Sequence, residues 1–184
     1  QAEDFDEGGE MLTYHDVDFV NAPGKYRTNV GVDIQSRSDG GFQITNVEAG
    51  EWLEYTITIA DAGEYLIDTW VASVEGGGKF SFSIGTVNVA SITVPKTSST
   101  ITLAKASTSK VLKAGEQVMR LKINSVPAFT IDRIEISKKA TSANRLAQNL
   151  PFAIYSKAPG MVRVTNNSEG QAQITIYSLS GKTH

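Results

Sequence analysis

The side chains of this sequence that can do chemistry are carboxylates, aromatics and amides. Carboxylates are plentiful, Asp16, Asp18, Glu48, Glu51 and Glu54 among them, and hydrolysis of a glycosidic bond needs two carboxylates flanking one cleft at a set separation. No spacing here marks such a pair. Glu51 and Glu54 differ in strand parity, so a pleated strand points them to opposite faces, and charged strand residues commonly form a solvated face. No Gly-x-Ser-x-Gly, phosphate-cradling glycine loop or His-Glu-x-x-His occurs. With no Cys and only 2 His, His15 and His184, disulfides and Cys-bound zinc are excluded and a His-based triad is unsupported. The sequence therefore predicts no catalysis by this chain.

Recognition groups must be held by some scaffold, and the sequence points to strands. Period-2 alternation recurs in Glu54–Ile59, Lys79–Ile84, Arg120–Ile123 and Thr130–Ile136. Thr, Val, Ile and aromatics fill these runs, as a half-buried pleated surface prefers. Turn signals separate them: Ser38-Asp39-Gly40-Gly41, Asp61-Ala62-Gly63-Glu64, Glu75-Gly76-Gly77-Gly78 and Lys113-Ala114-Gly115-Glu116. The pattern predicts an all-β fold, an antiparallel β-sandwich with its apolar alternates buried between two sheets. After Ile136 the character changes. Residues 139–150 read as a polar linker in which Leu146 can dock on a neighbour, and residues 151–184 as a small partial β-domain with about three strands.

The net charge of -3, with Lys and Arg spread along the chain, gives no nucleic-acid footprint. No apolar run approaches the ~20 residues of a membrane-spanning helix. The chain opens at Gln1 without Met or a signal peptide and stops at His184. It reads as a piece of a longer protein.

Several runs, taken in order, resemble the family 6 carbohydrate-binding modules. Gln1–Asp6 is similar to an opening acidic strand, and Ala49-Gly50-Glu51-Trp52-Leu53-Glu54-Tyr55 is the strongest match. Tyr26-Arg27 followed by Gly31-Val32-Asp33-Ile34 is similar to modules attached to marine polysaccharidases. Ala62–Tyr65, Val71–Ser73, Val94-Pro95, Ala114–Gln117 and Phe129–Asp132 follow in the family's order. The resemblance covers residues 1–138 and implies a jelly-roll, lectin-like sandwich. Phe152–Tyr155 and Ile174–Lys182 resemble the type IX secretion sorting domain of Bacteroidota, which implies a secreted or surface-attached parent.

The resemblance also implies sites. The family clamps a sugar between two aromatic rings beside an Asn, because pyranose C–H groups pack on flat rings while polar groups read hydroxyls. Those three positions fall on Asn46, Thr100 and Thr130, so all three usual residues are replaced. In the family's register Ile67, Thr69 and Val71 face the core. Leu66, Asp68 and Trp70 then point outward, and Trp70 either forms a second glycan platform or packs under a neighbouring segment. Trp52 reads as a core residue. Tyr26 and Arg27 either meet a sugar and its anionic substituent or pack on the sandwich edge, with Arg27 pairing Asp33. Family members hold structural Ca2+, and Gln1, Glu3 and Asp132 are its implied ligands, with carbonyls of residues 26–29 completing the shell. The alternative is a set of solvated edge groups.

Together these readings imply a non-catalytic module that delivers an attached catalytic domain, a glycoside hydrolase or polysaccharide lyase, to a polysaccharide. An algal galactan such as agarose is the expected glycan. The other reading is a structural spacer that has lost sugar binding and packs between catalytic and sorting domains.

Overall fold

The computed structural model describes residues 1–85, 87–88 and 91–139, and the backbone of strands 152–158 and 161–166. Among the described residues there are thirteen β-strands and no helix. The chain divides into two compact units, Gln1–Lys139 and Ala140–His184.

The first unit is a two-layer sandwich. One sheet contains β1 (Tyr14–His15), β4 (Trp52–Ile59), β10 (Gly115–Ser125), β6 (Lys79–Ile84) and β7 (Val87–Asn88) in that order, with β8 (Ile92–Thr93) also paired to β6. The other orders β2 (Ile34–Ser36), β3 (Phe42–Ile44), β11 (Thr130–Lys138), β5 (Gly63–Ala72) and β9 (Ala104–Leu112). Every pairing between these strands is antiparallel, as the alternating pattern predicts. The turn at 38–41 closes the β2–β3 hairpin within one sheet. The turns at 61–64, 75–78 and 113–116 carry the chain from one sheet to the other.

Inner-facing alternates form the core. Leu53, Leu121 and Phe82 lie side by side across β4, β10 and β6, facing Ile67, Val71 and Ile131 of the opposite sheet, and all six are buried. Phe80 meets Phe82 edge to face at 5.8 Å and Phe129 at 5.9 Å, a geometry that adds to simple burial. Trp52 is buried as expected, but with outward parity: it lies beneath the Arg120 guanidinium, 3.8 Å from the ring centroid.

Two sequence expectations are corrected. Gln1–Asp6 is not a strand but an irregular strap. It is tied down by Ala2 N–H to the Asp132 carbonyl (3.0 Å), Asp6 N–H to the Glu54 carbonyl (2.8 Å) and Tyr55 Oη to the Ala2 carbonyl (2.8 Å). Strict alternation also fails in β11. Val71 pairs with Ile131 but Trp70 with Arg133, so Asp132 is the extra residue of a β-bulge. The bulge keeps Ile131, Ile134 and Ile136 inward although the first two are three positions apart.

In the second unit β12 (Phe152–Ala158) pairs antiparallel with β13 (Met161–Asn166), Ile154 opposite Val164. The expected strand at 173–177 and Leu146 lie outside the described residues.

Phe80→Ala should lower unfolding stability by about 3–5 kcal/mol, because it removes a ring from the close-packed centre. Val111→Ala, at a position 71% exposed, should change it by less than about 0.5 kcal/mol. Urea titration of both variants checks the pair.

Candidate functional site

The register places five connections at one end of the sandwich: residues 16–33, 45–51, 73–78, 94–103 and 126–129. Asn46, Thr100 and Thr130 all lie at this end. Ile44 opposite Ile131 sets the loop after β3 beside the start of β11, and Thr130 Oγ1 donates to the Thr100 carbonyl at 3.4 Å. Asn46 holds a left-handed backbone at φ 51°, a conformation Asn tolerates better than most residues. Its amide donates to Asp33 Oδ2 at 2.8 Å, while Asp33 Oδ1 accepts the Ala22 N–H at 2.6 Å. Asp33 is thus a buried hub joining two loops. The Gly31–Ile34 run that carried the resemblance contained it, but nothing in the spacing revealed its partners. Asn46 and Thr100 are exposed and Thr130 is buried, so the end presents amide and hydroxyl groups without an aromatic at these three positions.

The same end carries a second carboxylate centre. Asp16 Oδ1 accepts the N–H groups of Asp18 and Phe19, each at 3.2 Å. Glu51 accepts from Val17 N–H at 3.4 Å and Glu48 N–H at 2.8 Å. Glu10 accepts from Asp16 N–H and pairs with His15 Nδ1. Burial, then the Glu51 charge, pushes Asp16 up to about 7, and burial also raises Glu51. These carboxylates are spent on backbone amides, which organises loops rather than setting a reacting pair across a cleft.

Tyr26 and Arg27 serve the N-terminal strap. Tyr26 stacks on Phe42 at 4.7 Å and donates from Oη to Asp4 at 2.9 Å. The Arg27 guanidinium lies 3.8 Å over the Phe5 ring, donates to the Glu3 and Phe5 carbonyls and pairs with Glu7 at 3.0 Å. The expected Arg27–Asp33 pair is not formed: Asp33 is taken by Ala22 and Asn46.

Trp70 lies on the outer face of the other sheet, with Ile67, Thr69 and Val71 turned inward and buried. Arg133, set outward by the bulge, covers one face of the indole at 4.2 Å. Beside it Asp68 is held below the usual carboxylate range by the Ser107 hydroxyl and Lys105.

Gln1, Glu3 and Asp132 come together around a cavity of about 430 Å³ that Arg37 and Arg133 also line. Glu3 is 4% exposed and its Oε2 is buried without a partner. Burial raises its proton affinity, and the nearby Asp132 charge adds to that. An orphaned buried carboxylate oxygen beside an amide and a second carboxylate fits a hard cation. Against this, Arg37 and Arg133 each hold one Asp132 oxygen, at 3.2 and 2.7 Å. Among the described residues no group of three His, Cys, Asp or Glu side chains forms a metal cage, so any shell here needs Gln1 and backbone oxygens. The six expected sugar-contacting residues thus occupy three separate places: the loop end, the strap and the outer sheet face.

The model of the carbohydrate-binding module family 6 matches residues 24–138, and the chain belongs to that family of non-catalytic modules. Similar solved structures agree. The C-terminal family 6 module of a marine laminarinase from Zobellia galactanivorans is 26% identical, with TM-score 0.59 over 74% of this chain and 95% of that one. A module from Cellvibrio mixtus lichenase 5A, in complex with cellotriose, is 29% identical, with TM-score 0.55 over 60% of this chain and 88% of that one. A β-1,3-glucan-binding family 6 module from Bacillus halodurans shares the fold at 17% identity, with TM-score 0.55 over 74% of this chain and 92% of that one. The comparison with curated proteins finds no match.

The folded state keeps the Asp16 proton up to about 7, whereas the unfolded chain releases it near 3.8. The folded state therefore binds more protons between those values, and stability falls as pH rises through that window. Asp16→Asn, which still offers an oxygen to the two amides, should flatten the fall. Thermal unfolding in EDTA from pH 4 to 7.5 checks this; an unchanged profile would assign the dependence to other groups.

Proposed function

We propose that this chain binds a neutral polysaccharide at its loop end and so concentrates an attached polysaccharide-degrading enzyme on its substrate. The observation that carries the reading is the convergence of Asn46, Thr100 and Thr130, with Asp33 fixing Asn46, at the end where the family reads sugars. Amide and hydroxyl groups held on rigid loops suit sugar hydroxyls. The Tyr26-Arg27 and Val32-Asp33-Ile34 likeness supports an algal galactan such as agarose, while the module of a marine laminarinase and the module in complex with cellotriose support a glucan as a further candidate. The likeness of residues 152–182 to a sorting domain supports a secreted or cell-surface parent. Trp70 supports a second reading, a platform on the outer sheet face. Arg133 already covers one side of that ring, which favours the loop end.

In affinity gels holding agarose, laminarin, lichenan or a sulfated galactan, the chain should be retarded by at least one neutral glycan and release no reducing ends. Asn46→Ala should weaken that retention about tenfold, the loss of one well-placed hydrogen bond. If Trp70→Ala abolishes retention and Asn46→Ala does not, the sheet face is the site. No retention on any glycan would favour the spacer.

Calcium belongs to the same proposal. Gln1, Glu3 and Asp132 would hold it, tying the strap to β11 and adding folding energy without a catalytic part. Saturating Ca2+ should raise the unfolding midpoint by about 5–10 °C over EDTA, and Glu3→Gln should remove most of that increment. Equal midpoints in Ca2+ and EDTA would show that the two arginines alone neutralise the site.

A further inference from the structure

We propose that Phe19 is the stacking platform of a pyranose subsite at the loop end, standing in for the aromatic clamp absent at Asn46, Thr100 and Thr130. The proposal rests on the glycan-binding reading above and assigns that site a residue outside the family's aromatic positions.

Phe19 is 63% exposed, and its backbone sits in the left-handed region at φ 61°. A bulky L-residue avoids that region because Cβ crowds the backbone. The loop is built to impose it. Asp16 Oδ1 gathers the N–H groups of Asp18 and Phe19, Asp18 Oδ1 takes the Val20 N–H at 2.9 Å, and the His15 ring meets the Phe19 ring edge-on at 6.4 Å. Close beneath, Gly31 leaves room for the turn: a Cβ there would lie 3.0 Å from Phe19 Cα. Beyond the edge contact with His15 the exposed ring gains little burial to offset the strain, and such outliers point to function.

Phe19 and Val20 line a cavity of about 430 Å³ together with Thr28, Asn29 and Glu10, residues that carry hydroxyl, amide and carboxylate groups. An aromatic flank beside hydrogen-bonding groups suits a sugar ring, whose C–H face is apolar and whose rim is polar. The charge of the place selects among sugars. Glu10, Asp18 and Glu51 crowd this loop, so a sulfated or uronic unit is repelled and a neutral pyranose is the occupant. Asp33 links this loop, through Ala22, to Asn46, which makes the platform part of the same recognition end.

The test uses the whole chain and one neutral glycan that retards it, with Phe19→Gly and Phe19→Tyr. Glycine relieves the left-handed strain, so its unfolding midpoint should stay within about 3 °C of wild type or rise. Glycan affinity should nevertheless fall at least about tenfold, while tyrosine keeps it within about threefold. Wild-type affinity in Phe19→Gly, or retention only by sulfated glycan, overturns the platform while leaving the module a glycan binder. Loss in Trp70→Ala alone moves the site to the sheet face and likewise overturns it. No retention of the wild-type chain by any glycan overturns the glycan-binding reading itself.

Discussion

The β-bulge at Asp132 is the constraint on which the rest of this sandwich depends. One extra residue in β11 lets Ile131 close the core beneath the loop end while Ile134 and Ile136 still point inward farther along. It turns Arg133 outward over Trp70 and frees Asp132 to meet the N-terminal strap through its carbonyl and carboxylate. A regular strand would put Arg133 on the core face and the two later isoleucines into water. The strap, the cavity beside Glu3 and the cover on Trp70 are therefore consequences of a single local irregularity.

Much of the fold was legible in the sequence because a two-faced sheet writes its burial pattern at period 2. Glu54–Ile59 and Lys79–Ile84 became strands whose alternate residues are buried, and Ile67, Thr69 and Val71 turned inward. The bulge was written there too, as two isoleucines three positions apart, but a single skipped position cannot be told from a strand end without its partner strand. Gln1–Asp6 misled for another reason. Its likeness to the family's opening acidic strand implied a strand, whereas burial of Ala2 and Phe5 against Tyr55 and Tyr14 makes an irregular strap.

The site was less legible, because its parts are loop residues placed by long-range contacts. Asn46, Thr100 and Thr130 were reachable only through likeness, and the structure does bring them to one end. Of the two readings of Arg27, the one that paired it with an acid named Asp33, whereas the strap gives the guanidinium two carbonyls, an aromatic face and Glu7. Phe19 gave no periodic signal at all. Only the Asp16-x-Asp18 spacing, able to fold on its own amides, hinted at a constrained turn.

What the loop end lacks is as informative as what it holds. Its carboxylates accept from backbone amides and so hold the loops in place, which suits the recognition role proposed for this end. The most direct test is a titration of the isotopically labelled chain with a neutral oligosaccharide, followed by amide NMR. The account predicts perturbations clustered in residues 16–33 and 45–47 and around Thr100 and Thr130, with the sugar recovered intact. Perturbations confined to the outer face of β5, β9 and β11, or a shortened sugar, would contradict it.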